Sequence, residues 1–200
     1  MAEQTCVTNR QLFLMSIFIS ICIGIGLAAG SGFRIFIPLL AANIASLMGF
    51  HEFGNGFDWL NSWTAFYILL AASLTEITAY YIPWLDNVLD HIAMPVAVAA
   101  GTVLSASFIS ADWEPALKWA LALLAGGGTA GIIHSGMGIL RLGSTTATGG
   151  IANPVVTTAE NGASIGFSVM ALLTPVLVFI VVLLLVIFIL RKMLKMRLRL

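Results

Sequence analysis

Apolar residues run almost unbroken from 167 to 190, relieved only by Ser168, Thr174 and Pro175, and stop at Arg191, Lys192, Lys195, Arg197 and Arg199. A helix of that length spans the roughly 30 Å hydrocarbon core of a bilayer, and so dense a basic flank is held at the cytoplasmic leaflet. Earlier apolar stretches divide at polar or glycine-rich positions, and together they predict helices over about 11–29, 33–48, 63–81, 92–109, 116–140 and 165–190. The expected fold is therefore all-α, a polytopic membrane helix bundle of about six transmembrane helices forming one integral membrane domain over 1–200, with 191–200 as a basic cytoplasmic tail. Segment 33–48 is the weakest crossing: it is about sixteen residues long, with Arg34 at one end and Pro38 one turn in, so it reads as a short tilted span or a re-entrant segment.

Composition agrees with this pattern. Hydrophobic residues make up 60% of the chain and charged residues 9%, and the mean hydropathy is +1.02, which excludes an ordinary soluble domain. The net charge of zero is a sum of unlike parts, because five of the nine basic residues lie in the tail. Six crossings place Arg10, Lys118 and the tail on one side, so the bias of basic residues predicts an inner-membrane protein with both termini cytoplasmic and the tail on anionic inner-leaflet lipid. The first apolar run, 12–27 behind Arg10, is read as a retained helix rather than a cleaved signal. Cys6 and Cys22 are too far apart for a metal-binding pair and are expected to be reduced and structural.

Under that topology the polar intramembrane groups gather toward the outer leaflet. Arg34 sits at the outer end of the second helix, Glu76 and His134 lie inside the third and fifth, Asp86, Asp90 and His91 fall in a short outer turn, and Arg141 and Glu160 flank the outer linker. Ser73, Glu76, Tyr80 and Asn87 share one helical face. A carboxylate there must be protonated, hydrogen-bonded or paired, and Arg34 is the basic group at similar depth. Two readings stay open: a proton or cation relay or substrate anchor, and a buried Arg34 to Glu76 pair that fixes two helices in register.

Glycine supplies the second pattern. Gly127, Gly131 and Ser135 recur every four residues, and Gly101 and Ser105 repeat that spacing, which permits close helix contact. The surplus of such faces predicts a homo-oligomer or a complex with another membrane protein. Gly30-Ser31-Gly32 is expected to interrupt the helical run. The stretch 143–163, with Asn153-Pro154, reads as an ordered outer lid or shallow re-entrant hairpin whose hydroxyls suit a headgroup, a sugar or an ion's hydration shell. It lacks the Lys of a phosphate-binding loop. The histidines at 51, 91 and 134 are dispersed, so neither a metal site nor a cofactor is expected, and nothing points to nucleic acid.

Several of these motifs together resemble a known family. Gly32-Phe-Arg34 with Pro38, Glu76 leading into Tyr81-Ile-Pro-Trp-Leu-Asp86 and on to Asp90 and Pro95, the stretch 127–134, and Ser144-Thr with Gly149-Gly-Ile-Ala-Asn-Pro154 before Glu160 look like the bacterial membrane domain of unknown function numbered four thousand one hundred and twenty-six. The resemblance implies a small multi-pass inner-membrane protein and assigns no reaction. On the residues themselves, a carrier or channel for a small solute or ion ranks first, with Arg34, Glu76, Tyr80, Asp86, His134, Asn153 and Glu160 as the substrate- or ion-binding candidates. A structural or accessory subunit ranks second. An enzyme acting on a lipid headgroup ranks third, because no nucleophile elbow or clustered acidic motif supports it.

Overall fold

The computed structural model describes residues 2–54, 56–110, 113–149 and 151–197. Among these residues the chain is helical and holds no strand: α1 (Ala2–Phe33), α2 (Phe36–Leu47), α3 (Trp63–Ala79), α4 (Pro83–Phe108), α5 (Pro115–Leu121), α6 (Gly128–Thr148), α7 (Asn153–Leu173) and α8 (Pro175–Arg197). A π-helical turn, Ala122–Gly127, joins α5 to α6, so the two form one continuous helix, Pro115–Thr148.

The helix boundaries follow from local chemistry. Gly30-Ser31-Gly32 does not interrupt the chain as expected. The Arg34 amide still bonds the Gly30 carbonyl at 3.0 Å, and the break falls between Phe33 and Phe36. The cause is Pro38, whose ring in an unbroken helix would clash with the carbonyl four residues back, that of Arg34, and has no N–H to bond it. Gly32 serves packing instead: a methyl there would lie 2.7 Å from Ile133 Cβ and 2.8 Å from the Ala130 carbonyl oxygen, so α1 and α6 meet backbone to backbone. Ser62 caps α3 by accepting the Ala65 amide at 3.1 Å. Pro83 then opens α4, where its missing N–H costs nothing.

Three other expectations need correction. Asp86, Asp90 and His91 do not lie in a turn but within the first turns of α4, because Pro83 starts that helix nine residues earlier than hydropathy suggested. The stretch 143–163 is neither lid nor loop: α6 continues to Thr148, Gly149 ends it in the left-handed region at φ 63°, and α7 begins at Asn153. The apolar run 165–190 is split at Thr174, where φ −136° and ψ 64° end α7 before Pro175 opens α8. The first residues of the tail continue α8 to Arg197.

These changes give seven helical legs among the described residues, counting Pro115–Thr148 as one. Their contacts fix direction. Going from Gly26 through Gly30 to Arg34, α1 meets Ala171, Ser168 and Asn161 in turn, so α7 runs antiparallel to it. Phe179 meets Phe18, and Ile189 meets Gly136, three residues past the Ile133 that packs on Gly32, so α8 runs parallel to α1 and α6. Gly101 faces Gly126, and Gly127 faces Thr102 and Val98, so the small-residue faces of α4 and of the α5 to α6 helix are spent on each other.

The bundle is inside out by the standards of a water-soluble protein. Ser31, Asn43, Ser73, Thr157, Asn161, Ser164 and Ser168 are buried, while Leu124, Leu173, Leu184 and Phe188 are exposed. That distribution suits a hydrocarbon surround, in which apolar side chains face outward and polar groups must find partners inside. Leu14–Phe33, Pro115–Thr148 and Pro175–Lys195 are long and apolar enough to cross a membrane, and Phe36–Leu47, Trp63–Ala79 and Ile92–Phe108 are apolar but shorter. At one end the segment 48–62 is pinned by asparagines. Asn43 donates to the Leu60 carbonyl at 2.6 Å, and Asn61 accepts from Ser46 Oγ and from the Phe53 amide, seating Phe53 and Leu60 in the core.

Candidate functional site: a buried arginine and glutamate network

The break between α1 and α2 turns a basic side chain into the bundle. Arg34 is 1% exposed, and its Nε donates to Asn161 Oδ1 of α7 at 2.5 Å. Its terminal nitrogen lies 3.0 Å from Glu160 Oε2, an ion pair without hydrogen-bond alignment, so that nitrogen keeps donor capacity unspent. Arg141 of α6 approaches the same carboxylate from the other helix: Nε donates to Glu160 Oε1 at 2.9 Å, and a terminal nitrogen reaches Oε2. Glu160 is itself 1% exposed, so one buried carboxylate is shared by two guanidinium groups.

Glu76 is placed differently from the expected pair with Arg34. Its carboxylate accepts the Ile35 amide at 2.7 Å and the Phe36 amide at 3.0 Å. These are the first free N–H groups of α2, where no residue of the helix itself supplies a side-chain cap. A carboxylate at that position satisfies orphan donors and meets the positive end of the helix dipole. One turn on, the Tyr80 ring lies under both cations, 3.9 Å from Arg34 Cζ and 4.6 Å from Arg141 Cζ, a cation–π arrangement that replaces part of their lost hydration.

Of the residues expected at a site, Arg34, Glu76, Tyr80 and Glu160 come together here. Ser73, Glu76 and Tyr80 are buried along α3 as the spacing predicted, but Asn87, expected on the same face, falls beyond the end of α3 in α4, and its side chain lies outside the described residues. His134 lies on α6, its Nδ1 3.3 Å from the Gly32 carbonyl. Asn153 opens α7 and pairs with Thr145, with amide nitrogen and hydroxyl 3.2 Å apart, so it clips α6 to α7. The backbone of Asp86 is in α4, and its side chain lies outside the described residues. Among the described residues no group of three His, Cys, Asp or Glu stands ready for a metal.

Sequence reasoning left out Asn161 and gave Arg141 no place in the site. The signal was present in the spacing of Thr157, Glu160, Asn161, Ser164 and Ser168, all buried on one side of α7. That is a helical stripe in a segment whose composition resembles a loop.

Chemically, the network sets two guanidinium groups beside two carboxyl groups. It is uneven within. Glu76 is committed to backbone amides, which leaves Glu160 as the anion between two cations.

Comparison with curated proteins and with solved structures finds no match. A family model does match, over residues 21–195, a range that takes in every member of the network. The chain belongs to the domain of unknown function family DUF4126.

Proposed function

We propose that the protein is a carrier for a small solute or ion in the inner membrane, working through the buried network. The observation that carries this reading is a pair of charged side chains at a helix break: Arg34 lies between α1 and a 12-residue α2, and Glu76 caps the start of that short helix. Discontinuous helices with intramembrane charge at the break are a recurrent design of secondary carriers, because freed backbone groups and ionisable side chains there exchange partners during transport. Purified protein in proteoliposomes should support solute or ion flux that Arg34→Gln abolishes while the folded yield persists. Flux unchanged in a folded Arg34→Gln protein would sink the reading.

The same reading includes an orientation. The basic tail belongs at the cytoplasmic face. Seven alternating legs, with α8 parallel to α1, then carry the N-terminal end of α1 to the opposite face, in contrast to an even number of crossings. Reporters after Leu200 and before Gln11 should read opposite sides. A cytoplasmic signal from both would remove one leg from the membrane.

An accessory-subunit reading draws on a separate observation, the 1% exposure of both Arg34 and Glu160, which suits charges that only hold helices in register. It expects no flux in proteoliposomes and co-purification with another membrane protein.

A further inference from the structure

We infer that the groove between α4 and α8 is a binding site for one anionic phospholipid, whose acyl chain lies on the glycines of the α5 to α6 helix and whose phosphate meets the basic end of α8. The site is separate from the buried network and does not depend on the carrier reading. The groove has a volume of about 340 Å³ and opens sideways from the bundle. Met94 and Val98 of α4 form one wall, and Leu190 and Met193 of α8 the other. The floor starts in the π-helical turn, a distortion that recurs at functional sites, and continues over Gly128, Gly131 and Ser135. Beyond its own turn, a methyl at Gly128 would meet nothing nearer than the Leu123 carbonyl oxygen at 4.0 Å, so the missing side chain leaves room that no neighbour fills.

The surroundings decide what enters. A groove open to hydrocarbon holds no water, and an empty one forfeits the dispersion contacts of its lining. The Ser135 hydroxyl already bonds the Gly131 carbonyl of its own helix at 2.8 Å, so the floor asks for an apolar occupant. From Leu123 to Ser135 the floor rises about 18 Å along the helix axis, close to one leaflet's half of the roughly 30 Å hydrocarbon core, which is the reach of a single acyl chain. Charge then selects the headgroup. Arg191, Lys192 and Lys195 are exposed and follow directly on the Leu190 wall. On the other wall Asp90 stands one turn before Met94, its side chain outside the described residues, and three cations against that acid leave the mouth positive. Cations in this position hold the phosphate of an anionic lipid in the leaflet that meets the tail.

The test is native mass spectrometry of the full chain in detergent, given equal amounts of phosphatidylglycerol and phosphatidylcholine with matched acyl chains. The wild type should retain one phosphatidylglycerol per chain, several-fold more than phosphatidylcholine. Gly128→Leu, which fills the floor, should lower that retention several-fold. Gly166→Leu, at a position of α7 with nothing within 4 Å, should leave it unchanged. Neutralising the mouth with Arg191→Gln, Lys192→Gln and Lys195→Gln together should erase the preference between the two lipids. Should Gly128→Leu fail to fold, Ser135→Leu fills the same floor and decides in its place. Equal retention of the two lipids by the wild type overturns the proposal, as does a filled floor that retains as much phosphatidylglycerol as Gly166→Leu. A wild-type dimer that the filled floor converts to monomer puts a second copy of the chain in the groove and overturns the lipid.

Discussion

The carboxylate of Glu76 meets the backbone amide of Ile35 at 2.7 Å, one residue past the guanidinium that its depth in the sequence suggested as partner. Glu76 is thus the cap of α2, supplied from another helix. Glu76→Ala should lower stability by about 1–2 kcal/mol, as loss of a helix cap does, and Glu76→Gln, which keeps one acceptor, by less. Adding Arg34→Gln should recover none of this, since the ion pair of Arg34 is with Glu160. Unfolding midpoints of the three variants check it, and recovery in the double variant would restore the Arg34 to Glu76 pair.

The two arginines should respond unequally to losing their common partner. Glu160→Gln leaves both guanidinium groups without it, and breaking a buried pair in this way costs about 3–5 kcal/mol. Arg141→Gln leaves the Arg34 to Glu160 contact in place and should cost less. Denaturation of the two variants in a weakly binding anion such as gluconate gives the order, and the reverse order would mean that Glu160 is not the hub.

Small residues divide into those in contact and those facing out. A methyl at Gly101 would meet the Gly126 carbonyl oxygen at 2.9 Å and Ala130 Cβ at 2.8 Å, so Gly101→Ala should destabilise by about 1–3 kcal/mol through overpacking. Gly138 has nothing within 4 Å of that position, and Gly138→Ala within α6 should be stabilising by about 0.5–1 kcal/mol. Equal effects in a thermal assay would contradict the α4 to α6 contact.

His51, in the segment after α2, stacks with Phe108 and meets Phe53 edge-on, both at 4.6 Å between centroids. Burial pushes its imidazole below the ordinary value of 6.5. A depressed folded value means the unfolded chain takes the proton first. The contribution of His51 is therefore complete above about pH 6.5 and is lost as the pH falls from there through the folded value. His51→Phe should flatten this acid-side decline in the unfolding midpoint, and an unchanged slope would place the proton elsewhere.

Much of the fold was legible in the sequence. Apolar runs marked the membrane-length helices, and a spacing of three and four marked the buried face of Ser73, Glu76 and Tyr80. Two features were not read. Polar residues on α7 point inward, so their composition imitates a loop while their period of three and four is helical. The choice between Glu76 and Glu160 as the partner of Arg34 depends on where α2 begins, and Pro38 sets that. Pro38 was noted as a shortening of the second helix and not as the cause of free amides that attract Glu76.

The inward stripe of α7 has a consequence for biogenesis. Arg34 emerges from the ribosome 127 residues ahead of Asn161, which it finally bonds. During that interval its charge has no settled place in the lipid, and α7, with Glu160 and Asn161 on one side, is not among the helices apolar enough to enter on its own. Arg34 therefore meets its Asn161 partner only after α7 has been made and packed against α1. Closure of the bundle is a late event in which the last helices complete the first.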